Sequence, residues 1–203
     1  MSKSGRATYH HGDLRQALLK SATELLDAEG IEGLSIRATA RAAGVSHAAP
    51  VNHFADRKGL LTALAAGFFG EIWGLAVEKM SVAPPGEARL VAFAEAMIDY
   101  SLAHPHRFRL LWRRDLLEVT DVRLGLAMDA LYDRLLAELE GLGKPMRFDP
   151  ETYAIAVWSL VHGYVSMRLD GNLVAANDAR TGEPRHRTII AALISGADVP
   201  APR

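Results

Sequence analysis

The stretch LSIRATARAAGVSHAAPVNHF, residues 34–54, decides the fold of this chain. Ser35 is a residue type that favours a helix N-cap. The residues after it recur with the spacing of one buried helical face, at Ile36, Ala40 and Ala43. Gly44 then supplies a backbone that readily adopts the left-handed conformation in which a chain reverses. The first half of the stretch therefore predicts a short helix that ends in a tight turn.

A second short helix is expected from about 47 to 53. Val45 can fill the corner between the two helices, Ser46 can cap the second one, and Phe54 provides an aromatic anchor at its end. Pro50 falls at the fourth helical position, where the loss of about one backbone hydrogen bond is tolerable. Two short helices around such a turn form a helix-turn-helix pattern, in which the second helix lies in the major groove of DNA.

Longer helices are predicted on both sides of this unit. Before it, the apolar spacing indicates a helix from Asp13 to Glu29, with Asp13 at the N-cap and Gly30 as the stop. After it, a helix from Arg57 to Met80 is expected to point these apolar residues inward: Leu60, Leu61, Leu64, Phe68, Ile72, Leu75 and Val77. The Pro-Pro-Gly at 84–86 then marks a domain boundary.

The remainder of the chain is predicted to be helical as well. Helices are expected near 87–103, 105–117, 122–141, 150–170 and 184–196. Between the last two, residues 171–183 are typical of a long loop. Since no strand-like alternation occurs, we expect an all-α protein. Its parts would be a flexible basic arm at 1–12, a three-helix helix-turn-helix domain with a long connecting helix at 13–80, and a helical C-terminal domain at 87–198.

Composition and charge narrow the function. The chain has 203 residues and no Cys, which excludes a disulfide scaffold. Its net charge of −1 argues against a protein that coats nucleic acid. The positive charge is concentrated, since residues 33–58 carry Arg37, Arg41, Arg57 and Lys58 against Asp56 alone. No apolar run reaches the roughly 18 residues of a membrane span, and the N-terminus lacks a signal-peptide core. A cytoplasmic protein without membrane contact is therefore expected.

Motifs for catalysis and metal binding are not found. The chain has no G-x-S-x-G, H-E-x-x-H, P-loop or G-x-G-x-x-G pattern. His10 and His11 lack further ligands at helical spacing, and His104-Pro105-His106 is more typical of a helix cap or turn than of a metal site. We therefore expect no enzyme activity, no metal and no cofactor.

Residues 9–69 resemble the DNA-binding domain of the TetR (tetracycline-repressor-like) family. The resemblance rests on YHHGDLRQALLKSATELLDAEG before the stretch quoted above and on HFADRKGLLTALAAGFF at its end. Further along, WSLVHG at 158–163 resembles the Trp-His-Gly signature of one branch of the family's C-terminal domains. The resemblance implies a transcriptional regulator that binds a palindromic operator in double-stranded DNA as a homodimer. Its C-terminal domain would bind an effector and carry the dimer contact.

The resemblance also indicates which residues meet DNA. The expected set is Arg37, Ser46, His47, Ala48, Ala49, Val51, Asn52, His53, Arg57 and Lys58. Arg37, at the start of the first short helix, would reach a base or a phosphate. Alanine side chains can contact thymine methyl groups, and Asn52 can bond adenine through two hydrogen bonds.

Phosphate contacts are expected from His53 and Arg57, the latter beside the N-terminus of the connecting helix. The family usually has Tyr where this chain has Val51, and the phenol commonly contacts a phosphate. Because the Val51 side chain cannot donate a hydrogen bond, either one contact is missing or Asn52 and Lys58 replace it.

In the family, the C-terminal domain encloses an apolar effector cavity. Aromatic and Met residues at helical spacing usually form core, but the resemblance makes these residues candidates for the lining: Phe93, Met97, Tyr100, Phe108, Trp112, Met128, Tyr132, Trp158 and His162. Trp158 and His162 share a helix face at i, i+4, and a His satisfied by a neighbour remains as plausible as a ligand contact. The expected effector is a small apolar or amphipathic molecule.

Family members pair through their last two long helices. In this chain those helices would contribute small and branched residues at Ala154, Val157, Val161, Val165, Ile189, Ala192 and Leu193. Such residues permit close helix approach, so a four-helix dimer interface is expected.

The favoured function is that of a repressor released from its operator by a small molecule. The effector would favour a position of the connecting helix in which the two DNA-reading helices have the wrong separation. One alternative is a dimeric DNA-binding protein without an effector, against which a clear internal cavity would count. A helical enzyme would instead need ionisable residues clustered in a cleft.

Overall fold

The computed structural model describes residues 11–46, 48–143 and 146–196, and within these ranges the chain forms eight α-helices. Their bounds are α1 His11–Gly33, α2 Ile36–Ala42, α3 Arg57–Val82, α4 Glu87–Ala103, α5 Pro105–Leu111, α6 Val122–Glu140, α7 Pro150–Leu169 and α8 Arg185–Ser195. In the same ranges, strand pairing is limited to one bridge between Asn177 and Pro184. The all-α prediction is confirmed, whereas His47 and most of the expected basic arm lie outside the described residues.

Helix α1 supports the helix-turn-helix unit by packing Leu18, Ala22 and Leu26 into the core. Its axis breaks at Gly30, where φ is 73° and ψ is −173°, so the predicted stop is confirmed even though a further helical turn follows. A side chain at Gly30 would be strained, and its Cβ would lie 3.1 Å from His106 Nδ1. The predicted N-cap at Asp13 is wrong because the backbone is already helical at His11.

Helix α2 begins and ends as the sequence predicts. The Ser35 Oγ accepts a hydrogen bond from the Ala38 N–H at 3.1 Å, which caps the helix. Ala40 is fully buried, while Ile36 and Ala43 are half-buried. The chain reverses at Gly44 with a φ of 67°, the conformation that glycine adopts at least cost.

The second element of the unit is a 3-10 turn, Ala49–Asn52, instead of the predicted short α-helix. Pro50 has no N–H to continue an α-helical ladder, and the His53 N–H donates to the Pro50 carbonyl in the tighter pattern at 2.9 Å. The predicted cap at Ser46 is also wrong, because the N-cap position falls on Ala48. Residues 46 and 48–53 are called the reader segment below.

Helix α3 connects the reader segment to the rest of the molecule. Asp56 caps it, since its Oδ1 accepts from the Gly59 N–H at 2.8 Å. The predicted inward residues of α3 are buried or half-buried apart from Val77, which is 45% exposed. That assignment is wrong because the adjacent Ala76 takes the core-facing position.

Among the described helices, α3 alone is long and apolar enough to cross a membrane, with a mean hydropathy of 1.7 over 18 residues. The sequence expectation that no segment meets this standard was therefore wrong, since Glu71 is the only charge between Leu60 and Val77. Half of that window, 50%, is buried inside the protein, as is usual for the core helix of a globular fold.

Helices α3 and α5–α8 pack around α4, whose Leu90, Phe93 and Ile98 are fully buried. The predicted bounds of α4, α6, α7 and α8 are confirmed to within one residue. The predicted helix 105–117 is wrong in its second half, because α5 ends at Leu111 and a separate 3-10 turn follows at Arg114–Leu116. Residues 112–121, which connect α5 to α6, are called the 112–121 loop below.

Buried side chains from both halves of the chain form one continuous core, which extends from Leu18 in α1 to Ile194 in α8. The reader segment is therefore fastened to the C-terminal helices through packed side chains, beyond the connection that the backbone of α3 provides.

The predicted partner-facing residues of α7 are placed wrongly. Their side chains are at most 3% exposed and point into the core of the same chain: Ala154, Val157, Val161 and Val165. On α8, Ala192 is exposed, and Ile189 and Leu193 are half-buried. The error arises because α7 is apolar on both faces, so its sequence does not show which face the chain itself covers.

Candidate nucleic-acid interface and ligand cavity

The reader segment is displayed on the surface. Val51 is 60% exposed, and Ser46, Ala48 and Asn52 are also exposed, while Ala49 and His53 are half-buried. Pro50 and Phe54 point inward, with Phe54 only 4% exposed. The segment thus rests on Pro50 and the adjacent Phe54, and it presents Ser46, Ala48, Val51 and Asn52 to solvent.

Exposed cations flank this segment. Arg37 and Arg41 are exposed on α2, and Lys58 is exposed in the first turn of α3. The structure accordingly leaves Arg37 and Lys58, both predicted to meet DNA, accessible to a polyanion. Their charges would favour association with nucleic acid of any sequence, because backbone phosphates attract cations regardless of base identity.

Arg57 has a different role from the one expected. Its Nε donates to the Leu34 carbonyl at 2.7 Å and its Nη2 donates to the Ile31 carbonyl at 2.6 Å. The side chain is partly buried and joins the start of α3 to the segment between α1 and α2. The expected phosphate contact is therefore corrected: the guanidinium is engaged in holding the helix-turn-helix unit together, which leaves Lys58 as the exposed cation of this turn.

Lys58 is connected to the 112–121 loop by a salt bridge to Glu118 and by hydrogen bonds through the hydroxyl of Thr62. Its Nζ lies 3.4 Å from Glu118 Oε2. The buried Thr62 Oγ1 accepts from the Glu118 N–H at 2.9 Å and donates to the Lys58 carbonyl at 2.7 Å. The pKa of Glu118 is lowered by the hydrogen bond from Thr120 and by Lys58. The first turns of α3 are thus bound to a loop of the C-terminal half.

A cavity of about 500 Å³ lies between α3, the 112–121 loop, α6 and α7. Its lining is largely apolar and aromatic and consists of Phe69, Leu111, Trp112, Arg114, Leu117, Val119, Leu124, Gly125, Met128, Asp129, Tyr132, Ile155, Trp158 and Ser159. The rings of Trp112 and Trp158 meet edge to face with centroids 6.3 Å apart. Arg114 and Asp129 introduce one charge of each sign into this apolar space.

The structure brings four of the predicted lining residues to this cavity, namely Trp112, Met128, Tyr132 and Trp158. The others lie elsewhere. Phe93 and Met97 are core residues, 0% and 6% exposed, because α4 is covered on nearly every side. Tyr100 is engaged in an ion-pair network, and Phe108 and His162 line a second depression.

The sequence reading missed the contribution of the 112–121 loop, which supplies Arg114, Leu117 and Val119 to the lining. The predicted helix 105–117 concealed it, since a continuous helix would have carried these residues elsewhere. Phe69 and Ile155 were also missed. Phe69 lies in a helix whose apolar residues are predicted to face the core, and Ile155 lies in one whose apolar residues are predicted to face a second protomer. The pattern contains no signal that separates either from a cavity wall.

The second depression, of about 530 Å³, lies where the break in α1 meets α5 and α7. His162 contacts Trp112 at a ring-centroid distance of 4.1 Å, and its buried Nδ1 has no hydrogen-bond partner among the described residues. Burial lowers the pKa of His162. The depression is lined by carboxylates as well as guanidinium groups, so its charge favours no single ligand class.

A partly exposed ion-pair network joins α1, α3, α4 and α5. The Arg107 side chain, 12% exposed, contacts Asp27 and Glu71, and the Tyr100 hydroxyl donates to Glu71 Oε2 at 2.8 Å. Arg107 also lies over the Phe68 ring at 5.0 Å. The bond to Asp27 raises the pKa of Arg107, and burial raises the pKa of Tyr100, so both groups keep their protons. The network fixes α1 against the C-terminal helices.

The arrangement matches known proteins in both halves of the chain. Residues 18–64 match the model of bacterial regulatory proteins of the tetR family, and residues 90–192 match the model of a tetracyclin repressor-like C-terminal domain. The chain belongs to the TetR family. It is therefore a DNA-binding transcriptional regulator by family, and the recognition made from the sequence is confirmed.

Solved structures share the fold of this chain. A protein of unknown function from Rhodococcus sp. RHA1 is 29% identical with a TM-score of 0.79, and the match covers 96% of this chain and 100% of that one. A TetR family regulator from Marinobacter aquaeolei VT8 is 17% identical with a TM-score of 0.66, covering 91% and 94%. The TetR family regulator PfmR from Thermus thermophilus is 20% identical with a TM-score of 0.63, covering 92% and 98%. No curated protein matches the chain.

Proposed function

We propose that this TetR family regulator is a cytoplasmic homodimeric repressor that binds a palindromic operator and is released from it by a small molecule. In this proposal, the arm and the helix-turn-helix unit with α3, 1–12 and 13–80, contact DNA. The C-terminal part, 87–198, binds the effector and the second protomer.

The observation that carries the DNA-binding part is the outward display of the reader segment. Val51 and Asn52 are exposed while Pro50 and Phe54 are inside, so the segment is both accessible and held in place. Asn52 is suited to adenine, and Ala48 is suited to the methyl group of thymine. Arg37 and Lys58 are exposed cations that would bind phosphates or base edges. Phosphates would position the segment, and the base contacts would specify sequence.

The effector part is supported by the cavity and its walls. Phe69 belongs to α3, the helix that begins beside the reader segment, so an occupant would press on the same rigid element that positions the DNA contacts. The lining fits a mainly apolar molecule with an aromatic part that packs against Trp112 and Trp158. A polar or charged group on that molecule would be placed near Arg114 or Asp129.

The dimer part requires a corrected face of α7. On the exposed side of α7, Ile155 and Met167 are 59% and 47% exposed, with Ser159 and Gly163 between them at four-residue spacing. Ile155 and Ser159 also line the cavity, so in this proposal the rim of the cavity adjoins the dimer contact. Small residues between two apolar ones permit the close approach of a second helix. Together with the exposed Ala192 of α8, this stripe replaces the core-facing residues that the sequence had suggested.

An alternative keeps the dimer and the DNA contact but has no effector. The cavity of about 500 Å³ counts against it, because a protein whose C-terminal helices served only for pairing would gain stability by covering the apolar side chains that line it.

DNA binding is tested with duplexes selected by the protein from a random pool. Arg37→Ala should weaken binding to the selected duplex by about five-fold or more, because a direct base contact is worth about 1–3 kcal/mol. Arg180→Ala, which removes an equal charge from the exposed loop before α8, is the matched control and should leave affinity nearly unchanged. Equal losses in both variants would show that the effect is only one of net charge.

Ligand binding is tested by thermal unfolding and tryptophan fluorescence with a library of apolar aromatic compounds. A true effector should raise the unfolding temperature, because binding at about 100 times Kd stabilises a protein by about 2.7 kcal/mol. It should also change the emission of Trp112 and Trp158 and release the duplex. A compound that binds without affecting DNA affinity would contradict the effector role of the cavity.

A further inference from the structure

The salt bridge between Lys58 and Glu118 connects two surfaces that the proposed function treats separately. Lys58 is among the exposed cations beside the reader segment, and Glu118 belongs to the 112–121 loop that lines the cavity. Glu118 itself points away from the cavity, while its neighbours Leu117 and Val119 contribute to the lining. Of three consecutive side chains, Leu117 and Val119 therefore line the cavity, whereas Glu118 contacts the cation beside the reader segment.

Both carboxylate oxygens of Glu118 are engaged. Oε2 lies 3.4 Å from Lys58 Nζ, and Oε1 accepts from the Thr120 hydroxyl at 2.9 Å. The backbone of Glu118 is fixed as well, since its N–H donates to the Thr62 hydroxyl at 2.9 Å. Thr62 is only 2% exposed and donates in turn to the Lys58 carbonyl. The acid is thus held opposite Lys58 by bonds of its own loop and of α3.

Lys58 and Glu118 are exposed enough for Lys58 to exchange Glu118 for another anion. The side chains of Lys58 and Glu118 are 45% and 50% exposed, so a phosphate can approach the ammonium group from the solvent side. An ammonium group is a compact point charge that can exchange one anionic partner for another. While Glu118 holds Lys58, the charge that this turn of α3 offers to DNA is reduced.

We propose that Glu118 is a positioning residue that competes with the DNA backbone for Lys58 and through which the contents of the cavity alter DNA affinity. The proposal rests on the proposed function. An occupant that displaces Leu117 or Val119 pulls on Glu118, because the three residues are consecutive. A shift of Glu118 would lengthen the bond from its N–H to the Thr62 hydroxyl and weaken its contact with Lys58. The strength of the Lys58–Glu118 ion pair then depends on whether the cavity is occupied.

The test uses the full-length protein, a duplex of random sequence as the probe and the Glu118→Gln variant. Removal of the competing charge should tighten binding about two- to five-fold, the range expected for an exposed ion pair. The logarithmic dependence of affinity on salt should steepen by about 0.9, as for one additional phosphate contact. A structural role alone would not change this slope. Unaltered far-UV circular dichroism shows that the variant is folded, and Glu118→Ala should behave in the same way.

Two controls separate the competition from general electrostatics. Asp115→Asn removes an equal charge from the same loop, but Asp115 is paired with Arg113 and should have little effect. In a Lys58→Gln background, Glu118→Gln should no longer change affinity. Unchanged affinity in Glu118→Gln, or an equal gain in the Lys58→Gln background, would overturn the proposal while leaving DNA binding intact. If the unsubstituted protein bound no duplex at all, the proposed function would fail together with it.

Discussion

Replacement of Arg57 distinguishes a structural role from a phosphate contact. In the structure, this side chain donates to the carbonyls of Leu34 and Ile31 at 2.7 and 2.6 Å. Arg57→Gln shortens the side chain and removes both bonds. Arg57→Lys keeps the charge, but a single ammonium group on a flexible stem lacks the planar guanidinium that serves both carbonyls here.

The size of the effect follows from these two bonds. A hydrogen bond from a charged donor contributes about 1.5–3 kcal/mol. The Ile31 carbonyl also accepts from the Leu34 N–H at 3.3 Å, so it is not left without a partner, and the site is only partly buried. We therefore expect a combined loss of about 2–3 kcal/mol. For a chain of this length, that loss lowers the unfolding temperature by about 5–10 °C.

The assay is thermal unfolding followed by far-UV circular dichroism, at one fixed protein concentration because dimerisation would shift the midpoint. Both Arg57 variants should lose similar stability. Lys58→Gln, which alters the next residue, should change stability by less than about 1 kcal/mol because its ion pair is exposed. If both Arg57 variants melted like the unsubstituted protein and only Arg57→Gln bound DNA poorly, the phosphate role would be right and the structural one wrong.

Three further outcomes are expected. Arg107→Gln should destabilise the protein by about 1–2 kcal/mol, because Asp27 and Glu71 lose their shared cation while both carboxylates remain partly hydrated. Denaturant unfolding would measure this loss, and a value below about 0.5 kcal/mol would contradict the role of the network. Gly125→Leu should fill part of the cavity and abolish the thermal shifts that ligands cause. The fold should keep its stability, because a Cβ at this helical position meets no atom within 4 Å. Retained ligand binding would place the site elsewhere. Burial lowers the pKa of His162 below 6.5 in the folded chain, so the unfolded state binds the proton first and the stability of the fold should decrease as the pH drops below 6.5. The decrease should be smaller in His162→Gln. Identical stability profiles against pH for the two proteins would refute the role of His162.

The sequence predicted most of the helices, the cap at Ser35 and the turn at Gly44, because those signals are local; the caps expected at Asp13 and Ser46 were wrong. Ser35 caps through a bond to a residue three positions away, and Gly44 needs only its own freedom at positive φ. Such contacts depend on neighbours in the chain, and a short stretch contains all the information they require.

The cavity was predicted only in part because its walls depend on packing between distant elements. Phe93 and Trp112 are both aromatic residues of predicted helices, yet the first is fully buried in the core and the second begins the 112–121 loop and lines the cavity. Nothing in their local spacing separates the two. The same limit explains the error on α7, where Val157 and Ile155 lie on opposite apolar faces and only the neighbouring helices determine which face is covered.

Arg57 shows why a family resemblance assigns residue roles less securely than fold. The residue sits where the pattern predicts a basic side chain, but its guanidinium is bound to carbonyls 23 and 26 residues earlier in the chain. Those partners became visible only once the helix-turn-helix unit was assembled in three dimensions.

The most direct test of the account is a footprint of the protein on DNA selected from a random pool, combined with the mass of the complex in solution. We predict two protomers on a palindrome. The protected half-sites should be about 34–36 Å apart or a multiple of that distance, on one side of the duplex. A single protomer on an asymmetric site, or protection that persists after Asn52 and Arg37 are both replaced by Ala, would contradict it.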